Sequence, residues 1–174
     1  MKILILGHGG HGKGMVAQII NDLTGVTFCS SSVFAFDQCI WPVLGNEYVK
    51  AEPFGRVQEA RVNCYEDREN KRQEWFDLIA KYCVPKDRLA KELLEKFDIY
   101  DGMRSFDEFE TSKHLFDCLL WVDRSHHVAL DPSMEIVDLD VLDCSITKNY
   151  YINNNCDIPT TTVQIAEFLR HATS

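Results

Sequence analysis

The first fourteen residues, MKILILGHGGHGKG, constrain the fold more than any other part of the chain. A short apolar run, Ile3-Leu4-Ile5-Leu6, leads straight into Gly7-His8-Gly9-Gly10-His11-Gly12-Lys13, a GxxxxGK pattern. An amphipathic stretch follows, with Met15, Val16, Ile19, Ile20 and Leu23 on one face. Strand, glycine-rich turn and helix in that order are the context in which this pattern cradles phosphate. The glycines let successive backbone N–H groups converge on phosphate oxygens. The helix N-terminus adds the positive end of its dipole. The spacing predicts a nucleotide site built from Gly7, His8, Gly9, Gly10, His11, Gly12, Lys13, Gly14 and Met15, with Lys13 reaching the β- and γ-phosphates. Gly14 departs from the pattern, because a Ser or Thr hydroxyl usually holds Mg²⁺ at that position. The alternative is a glycine-rich βα turn of another α/β fold, with Lys13 solvated and His8 and His11 filling variable positions.

The chain has 174 residues, 45% hydrophobic and 26% charged, which suits one α/β domain with a real core. No apolar run is long enough to span a bilayer, and no signal-peptide pattern opens the chain, so a cytoplasmic protein without membrane contact is expected. The seven cysteines include no CxxC pair and read as reduced, buried thiols. The net charge of −9 counts against a broad nucleic-acid surface. A local basic groove stays open, since Arg56, Arg61, Arg68, Lys71 and Arg72 cluster.

Strand and helix patterns alternate along the chain. Strands are expected at 3–6, 26–29, 97–100, 118–122 and 150–152. A Ser30-Ser31-Ser32 turn should precede a helix that Pro42 interrupts. Residues 45–55 read as a loop and 56–83 as a long helical region, with Trp75, Phe76, Ile79 and Tyr82 on one side. Ser105 and Glu108 form a capping box for a helix through His114, and a Thr-capped helix closes the chain over 160–170. This alternation predicts an α/β fold, a parallel sheet of about five strands with helices on both faces. Ligands then bind at the C-terminal strand ends.

Residues suited to phosphoryl chemistry collect at those ends. Asp101, after the third strand, can hold Mg²⁺, and Arg104 then offers a permanently charged fork for developing negative charge. The competing roles are helix capping for Asp101 and an ion pair with Glu108 for Arg104. Arg68, Arg72 and Trp75 could grip an acceptor phosphate and stack its base, or form a solvated helix face over a core tryptophan. Ser30, Ser31 and Ser32 could bond an acceptor or serve as turn and cap residues. Residues 123–143, with Arg124 on the nucleotide, form the expected lid.

With these motifs in place, the chain resembles the P-loop kinases of the thymidylate and deoxynucleoside monophosphate kinase group encoded by tailed phages. The carrying segments are Gly7 to Lys13, Ser31-Ser32-Val33-Phe34-Ala35, Asp67-Arg68-x-Asn70-x-Arg72-x-x-Trp75, and Asp101-Gly102-Met103-Arg104-Ser105-x-x-Glu108-Phe109. The Trp121-Val122 strand end and the Ile152-Asn153-Asn154 turn also resemble the group. Relatives commonly carry Lys-Asp-Thr where this chain has Lys13-Gly14-Met15. The resemblance covers nearly the whole chain and implies a single P-loop NTPase-type kinase domain over 1–174, with ATP and Mg²⁺ as cofactors. It implies a helical acceptor-binding region over about 33–95, with Ser31, Ser32, Arg68, Arg72, Trp75 and Glu108 on the acceptor side. It leaves a homodimer open and, for a phage-encoded chain, implies the host cytoplasm. The acceptor it favours is 5-hydroxymethyl-deoxyuridine within DNA, as in thymidine hypermodification. Two alternatives stay open: a kinase of free deoxynucleoside monophosphates, and a nucleotide-binding regulatory protein with weak catalysis.

Overall fold

Four consecutive apolar residues, Ile3–Leu6, form β1, and all four are fully buried. A strand without polar alternation has both faces covered, as a central strand of a parallel sheet does. β1 holds that position in the order β2-β3-β1-β4-β5, where β2 is Phe28–Ser30, β3 Ile99–Asp101, β4 Cys118–Asp123 and β5 Asn149–Asn153. Every pairing is parallel, so the fold is α/β. The structure, a computed structural model, describes residues 1–52, 56–136 and 148–172. Helices α1 to α8 cover Lys13–Thr24, Ser31–Ala35, Trp41–Ala51, Val57–Glu66, Arg72–Tyr82, Arg88–Leu94, Phe106–Ser112 and Ile158–Ala172.

Side chains alternate across the sheet. Ile3, Ile5, Leu120, Val122 and Ile152 share a buried cluster with Val16, Ala17 and Ile20 of α1 and with Ile165 and Phe168 of α8. Leu4 pairs with Tyr100, whose ring meets Phe116 and whose hydroxyl donates to Glu108 of α7 on the opposite face. Leu23, expected on the inner face of α1, is 50% exposed. β2 and β3 lie one to two residues later than apolarity suggested, because pairing of Phe28 with Ile99 and Ser30 with Asp101 sets their limits.

The chain divides into two compact units, Met1–Ser31 with Ala90–Ser174, and Ser32–Leu89. The second is helical. It differs from the expected pattern in three places. α2 begins at Ser31, directly after β2, and a π-helical turn over Phe36–Ile40 joins α2 to α3. Pro42 lies just after that π-helical turn, in the first turn of α3, and the helical backbone continues past it. Gly45 belongs to α3 and not to a loop; a Cβ there would sit 2.8 Å from the Trp41 ring, so the glycine permits close packing. Residues 53–55 of the expected loop lie outside the described residues. The long helical region breaks into α4, a 3₁₀ turn at Asp67–Glu69 and α5. Trp75 points into the unit and stacks on Phe36 at 5.6 Å, with Tyr65 edge-on to both rings, while Phe76 points outward.

Candidate phosphate-binding site

The loop between β1 and α1 leaves the C-terminal end of the central strand. Gly7 has a positive φ, and a Cβ there would meet the Val122 carbonyl oxygen at 2.4 Å, so only glycine lets the chain turn so close to β4. Gly12 caps α1 with φ 90°. A Cβ at Gly12 would lie 2.4 Å from the Asn154 amide nitrogen, which donates to the His11 carbonyl at 2.8 Å. Asn154 is buried, and its side-chain oxygen accepts from Thr161 of α8. The amide thus fixes the loop against the last strand and helix.

Lys13 is not simply solvated. Its ammonium donates to the Gly7 and His8 carbonyls at 2.8 and 2.9 Å, spanning the loop from within. Burial lowers its pKa; Asp101 and Asp131 oppose that shift and Arg104 adds to it. The four charges therefore share one neighbourhood.

Asp101 ends β3 beside Ile5 of β1 and Ser30 of β2. Burial pushes its carboxyl above the ordinary value, against hydrogen bonds from the Ser30 hydroxyl and Ser31 amide and the charge of Lys13. Its Oδ1 is buried with no hydrogen-bond partner among the described residues. Its Oδ2 lies 3.9 Å from where a Cβ on Gly14 would stand. A buried carboxylate oxygen with an unused lone pair fits a hard cation. Mg²⁺ in such sites takes one or two carboxylates, waters and ligand phosphates. The lack of any cluster of three His, Cys, Asp or Glu among the described residues is compatible with that coordination.

The two loop histidines fasten the loop to the segment after β4. His11 is fully buried, and its Nδ1 accepts the Arg124 N–H at 3.0 Å. His8 Nδ1 accepts the Asp131 N–H at 3.1 Å, and its ring meets Trp121 edge-on. Met15 is half-buried. The Arg124 side chain is exposed.

Several expected roles change. Arg104 pairs with Asp131 at 2.9 Å and donates to Ser133 at 2.6 Å, not to Glu108. Glu108 accepts from Tyr100 at 2.6 Å, so no capping box forms; Glu135 accepts the Phe106 N–H instead. Asp157, not a threonine, accepts the Thr160 N–H at the start of the last helix. Ser31 is buried with its hydroxyl against Gly102, and Ser32 meets the Tyr65 hydroxyl at 3.3 Å within the helical unit. Trp75 is packed in the aromatic core, which withdraws it from base stacking. Arg68 lies over the Tyr65 ring and donates to its hydroxyl, and exposed Arg72 pairs with Glu69. The expected lid is described to residue 136, and 137–143 lie outside the described residues.

The sequence does not single out Asn154 or Asp131 for this site, whereas Ser30 is expected near an acceptor and instead bonds Asp101. Asn154 carries one usable signal, a polar side chain at the C-terminal end of an expected parallel strand. No helix among the described residues is long and apolar enough to cross a membrane. No protein-family model matches the chain, and no curated protein matches it.

Proposed function

We propose that this chain is an ATP-dependent phosphotransferase with a P-loop NTPase-type site. The observation that carries the reading is the GxxxxGK loop at the end of the central strand, with the Asp101 carboxylate beside Gly14 on the neighbouring strand. The loop N–H groups and the α1 N-terminus would bind the phosphates. Lys13, released from the Gly7 and His8 carbonyls, would neutralise charge on the β- and γ-oxygens. Arg104 would stabilise charge that develops during transfer. Asp101 would hold Mg²⁺ through its unpaired Oδ1. The ion, when bound, draws negative charge from the phosphate oxygens. Positioning and charge neutralisation make up most of phosphoryl-transfer catalysis, so the absent hydroxyl at Gly14 is compatible with turnover.

The acceptor we propose is a deoxypyrimidine, with 5-hydroxymethyl-deoxyuridine in DNA first, on the family resemblance. A free deoxynucleoside monophosphate is the second reading. The burial of Trp75, the Arg72–Glu69 pair and the net charge of −9 favour it. Transfer of labelled γ-phosphate, offered in parallel to dTMP, other monophosphates and DNA containing hydroxymethyluracil, separates the two. Label in DNA alone supports the first, and label in a monophosphate alone supports the second. Label in neither, with no ATP consumed, removes the kinase reading.

A further inference from the structure

Resting on the phosphate-binding reading above, we propose that Asp131 is a specificity residue, making the loop favour nucleotide complexed with a divalent cation over free polyphosphate.

The Asp131 carboxylate is held firmly over the loop. Asp131 Oδ2 lies 2.9 Å from where a Cβ on Gly9 would stand. The Asp131 N–H donates to His8 of the same loop. Its carboxylate accepts from the Ser133 N–H and hydroxyl, at 2.9 and 2.7 Å, and pairs with Arg104 at 2.9 Å. The surrounding segment is pinned as well. A Cβ on Gly10 would meet Val128, Met134 and Ile136 are buried, and Glu135 bonds both the Arg104 carbonyl and the Phe106 N–H. Asp131 is therefore a fixed negative charge at the loop.

A fixed anion beside a phosphate cradle has a definite consequence. Lys13 and Arg104 alone would attract polyphosphate most strongly when it carries no cation, because Coulomb energy scales with the product of charges. Asp131 offsets the Arg104 charge and so weakens that attraction. A divalent cation removes two ligand charges, so the complex loses less attraction than the free polyphosphate does. Gly14 lacks the hydroxyl through which such loops usually recognise the cation. Asp131 would exert part of that selection through charge.

The test measures the affinity of the intact chain for ATP by calorimetry, once with excess Mg²⁺ and once with EDTA, in wild type and Asp131→Asn. An exposed or half-exposed charge pair is worth up to about fivefold in affinity. Asp131→Asn should therefore tighten metal-free ATP roughly three- to fivefold and the Mg²⁺ complex less than about twofold. The selectivity ratio falls, and the change shrinks in high salt. Ser133→Ala keeps the carboxylate and should leave the ratio unchanged, which separates charge from loosening of the segment. Weaker binding of both forms in Asp131→Asn, or an equal change in both, overturns the proposal while the phosphate-loop reading stands. Wild type and variant binding neither form would remove that reading and the proposal together.

Discussion

Asn154→Ala tests how the loop is held. The amide makes two side-chain bonds, to the His11 carbonyl at 2.8 Å and from the Thr161 hydroxyl at 3.2 Å. A net hydrogen bond is worth about 1 kcal/mol, and a buried carbonyl left without a donor costs about 1–3 kcal/mol. The Asn154 backbone bond to Asp123 survives the substitution. The expected loss is then about 2–3 kcal/mol, or roughly 5–10 °C in Tm for a chain of this size. The loss should be larger in function, because the freed segment is Gly12, the cap of α1 and a wall of the proposed phosphate cradle. ATP affinity, measured by calorimetry well below Tm, should fall at least about tenfold, since misplaced donors lose their preorganised geometry. Asn154→Gln keeps the amide but changes its reach, and it should recover little. An Asn154→Ala variant with unchanged Tm and unchanged ATP affinity would refute the claim that this amide positions the loop.

Gly14→Ser should fit without strain, because the nearest atom to its Cβ is Asp101 Oδ2 at 3.9 Å; Mg²⁺ titration of ATP binding should shift to lower Mg²⁺, and a shift to higher Mg²⁺ contradicts this geometry. Asp101→Asn should weaken the Mg²⁺ dependence and change how stability varies with pH. The folded-state pKa of Asp101 lies above its unfolded value, so the folded chain holds a proton that the unfolded chain has released. Wild-type stability therefore falls as pH rises from the unfolded carboxylate pKa of about 4 through the raised folded-state value, and Asp101→Asn should gain relative to wild type as pH climbs above about 4 in urea midpoints. A relative loss across that interval contradicts the burial argument. Trp75→Ala should destabilise the helical unit by about 3–5 kcal/mol while leaving ATP affinity near wild type. A stable variant with a raised acceptor KM would instead restore Trp75 to the acceptor site.

The strand-loop-helix at the N-terminus was legible because a continuous apolar run, a glycine pattern and a 3.6-residue periodicity follow one another without a gap. The all-parallel sheet followed from the alternation of strands and helices. What stayed hidden depends on contacts distant in sequence. Asp131 meets Arg104 and His8 only once the segment after β4 has folded back over the loop. Asn154 reaches His11 across more than a hundred residues. Glu108 looks like a cap in sequence, but the hydroxyl of Tyr100, eight residues earlier on β3, claims it. Pro42 and Gly45 look like breakers, yet a π-helical turn and the flat face of Trp41 accommodate both within helical backbone. Local propensity scores each residue alone and so misses a neighbouring turn or ring that accommodates it.

The central claim is that the loop from Gly7 to Lys13 binds nucleotide phosphate. The most direct measurement is calorimetric binding of MgATP to wild type and to Lys13→Met, which keeps the apolar stem of the side chain and removes the ammonium. Wild type should bind, the variant should lose at least about tenfold, and far-UV spectra should be closely similar, since hydrogen bonds made by a charged group contribute about 1.5–3 kcal/mol. No binding by wild type, or equal affinity in the two proteins, would contradict it.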